Sequence, residues 1–313
     1  MRCLLAALSL TLCLGCDLGR KPASEPEPSL RLAVVTDLKG YLEPCGCTSD
    51  PLGGIDRLAA QIEELRKSDV PLLFLVAGDA FFEAAPLEPA RVDQANRNAQ
   101  TLVRILNRLG VTAVLPGASD RAQPAATLAE LRAAADFAWL AMDGPTDVLQ
   151  HEAGSVSVTL LGTQRKTPPD AVAAAVGNAK DQSDLAVVLV DGSRRDANRV
   201  GAIQGVDFVI QGGLDQDSAM PPRQTGNAWV FHASRQGQGL AIVDVYRPRG
   251  DAPFADRSEW SRTAGAAQLD RQIEELRAKI DAWEQAGNID QADLDPQRAR
   301  LVDLAKERAA LDA

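Results

Sequence analysis

Residues 71–79, PLLFLVAGD, place six consecutive apolar side chains between Pro71 and a closing Gly78-Asp79. The run is too short for a buried helix and is bounded by a proline and a glycine, so it reads as a strand buried on both faces. The same pattern recurs in LRLAVVT (30–36), followed by Asp37, and in DLAVVLVDG (184–192), which closes on Asp191. Three buried strands that each end in an aspartate predict a sheet whose carboxyl edge gathers negative charge.

Outward from these strands, apolar runs alternate with amphipathic stretches. Residues 54–67 repeat Ile55, Leu58, Ile62 and Leu65 at helical spacing. Residues 89–109 form a second helix with Val92, Leu102, Ile105, Leu106 and Leu109 as its inner face. VTAVLP (111–116) is a strand, 122–135 a helix, and 137–143 strand-like. SVSVTLLGT (155–163) alternates as a strand, and 168–180 reads as a helix. GVDFVIQGG (205–213), NAWVFHAS (227–234) and GLAIVDVYR (239–247) complete the strands. Strands separated by helical stretches predict an α/β domain over 30–247 with helices on both faces. The thinner helical content toward its end predicts a second sheet.

Beyond 249–262, which is polar and irregular, Leu269, Ile273, Leu276, Ile280 and Trp283 repeat at alternating spacings of four and three. That is a heptad seam on a helix of about 20 residues. GNIDQADLDP (287–296) breaks it, and a second helix over 297–312 carries Leu301, Leu304 and Leu311. The 263–312 segment is therefore a helical hairpin or coiled coil, suited to packing on itself, to self-association or to a protein partner.

The chain has 313 residues, 45% apolar, with net charge −10. An acidic chain repels polyphosphate backbones, which argues against nucleic acid as a partner. At the amino end, Arg2 precedes a short apolar run that closes on Leu14-Gly15-Cys16. The run is too short to span a bilayer and reads as an export signal over 1–15. Leu14-Gly15-Cys16 resembles the lipobox of bacterial lipoproteins, with Cys13 where leucine is commoner. The resemblance implies cleavage before Cys16 and acylation of its thiol, hence a lipid-anchored place in the cell envelope, facing the periplasm or the outside. Several acyl chains hold a protein firmly, at about 0.8 kcal/mol per buried CH₂. The tether that follows, ending at residue 29, holds three prolines and no apolar period. At roughly 3.1 Å per residue its thirteen residues reach about 40 Å.

Taken in order, several segments resemble the metallophosphoesterase domain of the 5′-nucleotidase family. Thr36-Asp37-Leu38-Lys39-Gly40 stands where that family has a strand-end Asp-x-His-Gly, and Gly53-Gly54-Ile55-Asp56-Arg57 resembles its Gly-Gly-x-x-Arg helix start. Ala77-Gly78-Asp79 resembles its Gly-Asp, and Pro116-Gly117-Ala118-Ser119-Asp120 its Gly-Asn-His-Asp/Glu turn. Val190-Asp191 lies where a strand ends in a histidine, and Gly213-Leu214-Asp215-Gln216 where Gly-His-x-His is expected. His232-Ala233-Ser234 to Val245 resembles the hairpin that follows. The resemblance covers about 30–247 and implies a layered α/β sandwich with two mixed sheets, plus the C-terminal hairpin. It also implies two metal ions about 3.5–4 Å apart that polarise a phosphate ester and activate water. Ligands of that kind suit Zn, Mn or Fe.

The ligand set departs from the family. Asp37 and Asp79 remain, but Lys39 replaces the first histidine, Ala118 the amide ligand, Ser119 the neighbouring histidine, and Leu214 and Gln216 the last two. A protonated lysine has no lone pair for a metal and opposes dications, while it can neutralise Asp37 and Asp79. Ala118 and Leu214 cannot ligate. Only two histidines, His151 and His232, exist in the chain. The pattern predicts a retained fold without a resident cofactor, acting in binding or as a scaffold. One alternative is an active phosphoester hydrolase with a single divalent ion on Asp37, Asp79, Asp120, Asp191 and Asp215. In the plainest alternative these aspartates are helix caps and turn formers. After 247 the sequence offers only the helical hairpin where the resemblance implies a base-stacking domain, so nucleotide specificity is not expected to carry over.

Cys45-Gly46-Cys47 follows the first strand on the rim of the same edge. Two thiols one residue apart can close a strained disulfide that stiffens a loop, or share a soft metal, or act in redox exchange. No Cys-x-x-Cys-His occurs, so covalent haem is not supported.

Overall fold

A computed structural model describes residues 27–44, 53–142, 144, 146–180, 182–214, 220–246, 253–256, 258–286 and 291–310. Cys16, Cys45, Cys47, Asp215 and Gln216 lie outside the described residues, as do the stretch expected to be an export signal (1–15) and residues 17–26 of the expected tether. The chain divides into two compact units, Met1–Phe254 and Ala255–Ala313.

In the first unit, strand β1 is Leu30–Thr36, followed by helix α1 (Ile55–Leu65), β2 (Leu72–Gly78), α2 (Val92–Arg108) and β3 (Ala113–Pro116). Then come the short α3 (Ala118–Arg121), α4 (Ala125–Ala134), β4 (Ala138–Trp139), β5 (Thr146–Ala153), β6 (Val156–Gln164) and α5 (Pro169–Lys180). The unit continues with β7 (Leu185–Asp191), α6 (Arg194–Gly201), β8 (Phe208–Gly212), β9 (Met220–Thr225), β10 (Ala228–His232) and β11 (Ala241–Val245). These strands make two mixed sheets, ordered β11-β1-β2-β3-β4 and β5-β6-β7-β8-β10-β9.

The sandwich has four layers because both faces of each sheet are apolar. Leu73, Leu75 and Ala77 of β2 join Leu160, Leu189 and Ile210 of the other sheet in one core between the sheets. Phe74 and Val76, alternating with them, pack with Leu58 and Ile62 of α1 and Leu102 and Leu106 of α2. Val188 and Val209 pack with Val172 of α5 and Ala197 of α6 on the far side. A strand covered on both sides loses its polar face, which is why 71–79 reads as a continuous apolar run.

The sequence reading differs from the structure in several places. The second sheet begins as early as β5, and the last strand, β11, returns to pair antiparallel with β1 in the first sheet. Among the described residues of 137–143, Ala138–Trp139 alone forms a strand. Strands β5 and β9 and helix α6 lie in stretches without a clear period.

In the second unit, α7 (Ser258–Ala286) and α8 (Gln291–Ala310) pair antiparallel, with Arg298 on Glu284 at 2.5 Å and Arg308 on Asp270 at 2.9 Å. Ile273 and Ile280 of the heptad seam are buried. Helix α7 is longer than expected, and α8 starts six residues before 297 with Pro296 inside it, where a break was expected. A proline there removes one main-chain bond, a cost that the pairing of the two helices outweighs. No described helix is long and apolar enough to cross a membrane.

Candidate functional site

The carboxyl ends of β1, β2, β3, β7 and β8 meet along one edge, where parallel α/β sheets leave a crevice. Asp37 follows β1 in a left-handed conformation (φ 51) and is 2% exposed. Its Oδ1 accepts the main-chain N–H of Asp79 at 3.1 Å and of Gly213 at 2.9 Å. One carboxylate thereby ties β1 and β2 of the first sheet to the end of β8 in the second.

That approach requires Gly78, at φ 87: a Cβ there would stand 2.1 Å from Asp37 Oδ1 and 2.7 Å from Gly213 N. On the other side of β2, a Cβ at Gly117 would stand 2.2 Å from Asp79 Oδ1. The two sheets close at Gly78, and the end of β3 closes on the end of β2 at Gly117.

Asp79 receives both donors of Ser119, the N–H at 2.7 Å on Oδ1 and the hydroxyl at 2.8 Å on Oδ2. Ser119, expected as a replacement for a histidine, is thus the partner of Asp79. Asp120 is fully buried and accepts four main-chain N–H groups. Those of Ala80 (2.7 Å), Phe81 (2.9 Å), Phe82 (2.9 Å) and Gly117 (3.3 Å) share its two oxygens. Asp191, 2% exposed, accepts Arg121 Nη2 at 2.7 Å. Arg121 also donates to the Pro116 carbonyl, which fixes the guanidinium at the end of β3. Arg121 was invisible to the sequence reading because nothing in a run of residues announces a contact seventy positions away.

Burial dominates the electrostatics. It pushes Asp37 up to about 7, with the carboxylates of Asp79 and Asp191 adding to the rise and the two amides opposing it. Burial likewise pushes Asp120 up to about 8 against the pull of its amide donors, aided by Asp79. Asp191 is raised by burial, and Arg121 works against that rise.

Lys39 also has a left-handed backbone (φ 55) and joins Asp79 through its main chain, N–H to carbonyl at 2.8 Å. Its residue lies on the wall of a neighbouring cavity rimmed by Gly40, Tyr41 and Phe82. Ala118 opens α3 beside Gly117, and Leu214 is half-buried beyond β8. His232 is buried at the end of β10 with Nδ1 2.8 Å from the Ala233 carbonyl, while His151 lies on the edge strand β5. Among the described residues, no three His, Cys, Asp or Glu side chains converge closely enough to hold a metal ion.

No family profile and no curated protein sequence matches the chain. Solved structures do share its fold. Sulfate thiohydrolase SoxB of Thermus thermophilus, in complex with glycerol, is 16% identical with a TM-score of 0.60, over 72% of this chain and 55% of that one. A 5′-nucleotidase precursor from the same organism is 18% identical with a TM-score of 0.57, over 68% and 50%. The NAD nucleotidase NadN of Haemophilus influenzae is 12% identical with a TM-score of 0.55, over 68% and 52%. This chain spans about half the length of each. The likeness establishes the layered α/β sandwich of the metallophosphoesterase type.

Proposed function

We propose that the chain is a membrane-tethered binding or scaffold protein, a metallophosphoesterase-type domain whose metal crevice is filled by its own hydrogen-bond donors. The observation that carries this reading is the engagement of four carboxylates at this edge, three at strand ends and Asp120 in α3. Asp37 holds two amides, Asp79 holds Ser119, Asp120 holds four amides and Asp191 holds Arg121. A two-metal centre draws on lone pairs of carboxylates together with imidazoles and an amide. Here at least one oxygen of each carboxylate accepts an N–H or O–H group, and by the resemblance Lys39, Ala118 and Leu214 stand at remaining ligand positions. This donor set does not fit two metal ions. Tethering rests on Leu14-Gly15-Cys16 and the proline-bearing stretch after it.

The test is hydrolysis. The full chain, purified in detergent, is assayed on bis(p-nitrophenyl) phosphate and on AMP with Mn²⁺ or Zn²⁺, with and without EDTA. The expected result is no EDTA-sensitive turnover. Sustained turnover that EDTA abolishes and that Asp79→Asn removes would establish the alternative, a hydrolase with an altered carboxylate site.

A further inference from the structure

The two sheets end in four edge strands, β11 and β4 in the first and β5 and β9 in the second. An edge offers unpaired N–H and C=O groups to any strand that meets it, and folded proteins blunt their edges with short strands, charges, prolines or bulges. Three of these edges carry such devices. β4 has two residues. β11, of five residues, bears Asp244 in an ion pair with Arg31. β9 carries Pro221 and Pro222 and a register shift against β10. The edge at β5 is blunted least. Its eight residues, Thr146–Ala153, pair with β6 in an unbroken register, with neither proline nor lysine among them. Its two carboxylates, Asp147 and Glu152, stand near its ends. Among the described residues, no main-chain group outside β6 bonds to it. Val148 is 40% exposed, and Leu149 is only partly buried, at the margin of the core between the sheets.

The sequence of this edge is complementary to itself. Residues opposite each other in an antiparallel pair point to the same face, so two strands related by a two-fold axis pair one residue with its own counterpart. Centred on Leu149, the pairing sets Asp147 against His151 of the second copy, Glu152 against Thr146 and Val148 against Gln150. Each carboxylate then meets a side chain that can donate a hydrogen bond. Leu149 meets Leu149, which prolongs the core between the sheets. A centre at Val148 puts Asp147 on Leu149 and leaves Glu152 beyond the paired residues, while a centre at Gln150 puts Glu152 on Val148 and Asp147 on Ala153. Cross-strand pairs of opposite polarity favour a register, and carboxylates set against apolar side chains disfavour one.

We infer that two copies of this chain associate by antiparallel pairing of β5 with β5, centred on Leu149, into a sheet continuous across the dimer. The test is sedimentation equilibrium of the full chain in density-matched detergent. A reversible dimer is expected at about 100 μM, as suits a small interface. Val148→Lys, at an exposed position, is expected to weaken it at least about tenfold. His151→Asp sets a carboxylate against Asp147 at two symmetric places and is expected to weaken it by a similar factor. Adding Asp147→Arg to that variant makes both pairs opposite in charge again and is expected to recover the dimer. Thermal melting of each variant separates lost pairing from lost folding, and Val148→Lys keeps the test intact should His151→Asp fail to fold. A chain that stays monomeric leaves the edge to a strand of another protein and overturns the inference. A dimer unchanged in Val148→Lys overturns it as well, as does a double variant no tighter than His151→Asp alone.

Discussion

The crevice at the strand ends and the cavity across the 37–44 loop share their walls but treat polar groups in opposite ways. In the crevice, four carboxylates are met by main-chain amides, a serine and an arginine, at contacts of 2.7 to 3.3 Å. In the cavity, charges of both signs line about 460 Å³ of space. The difference teaches that acidic residues at a sheet edge can act as fastenings, with oxygens that accept main-chain amides and side-chain donors from neighbouring segments.

That contrast can be broken most forcefully at Asp120. Asp120→Ala leaves four buried amides without an acceptor and should cost about 4 kcal/mol in denaturant unfolding. A cost below about 1 kcal/mol would mean that the 80–82 segment is held by other means. Gly78→Ala places a methyl against Asp37 at φ 87, and strain plus overpacking should cost about 3 kcal/mol. Arg121→Gln strands the buried Asp191 carboxylate and should cost about 2 kcal/mol, less than a fully buried pair because the arginine is partly exposed. Adding Asp191→Asn should recover most of that loss; simple additivity in the double variant would show that the pair is not coupled.

The smallest effect concerns pH. Folding raises the Asp37 carboxyl from 3.8 to about 7, so the folded state favours its protonated form. The stability it contributes is present below about 4 and is lost as pH rises through 7. Asp37→Asn keeps an oxygen for the two amides and removes the charge. It should therefore match the parent near pH 3 and melt higher at pH 8, by the equivalent of roughly 1–2 kcal/mol. A variant less stable than the parent at pH 8 would show that the ionised carboxylate is needed there.

How much of this was legible in the sequence depends on burial and on distance along the chain. Strands covered on both faces, such as Leu72–Gly78 and Leu185–Asp191, announce themselves as unbroken apolar runs. Edge strands do not. Thr146–Ala153 is half-exposed, and Met220–Thr225 carries Pro221 and Pro222, which only an edge tolerates. Helix α6 did leave a signal, since Ser193 and Asp196 form a capping box at its start. Asp37, Asp79 and Asp191 could be placed at strand ends from sequence alone. Their partners could not, because the Gly213 amide reaches Asp37 across 176 residues and Arg121 reaches Asp191 across 70. The cavity was illegible for the same reason: its walls come from the 39–44 loop, the 81–83 loop and α2.

The most direct test of the filled crevice is the metal stoichiometry of the full chain after equilibration with Mn²⁺ or Zn²⁺ and removal of free ions. The account predicts well below one ion per chain, unchanged in Asp79→Asn. One or two tightly held ions per chain, lost in Asp79→Asn, would contradict it.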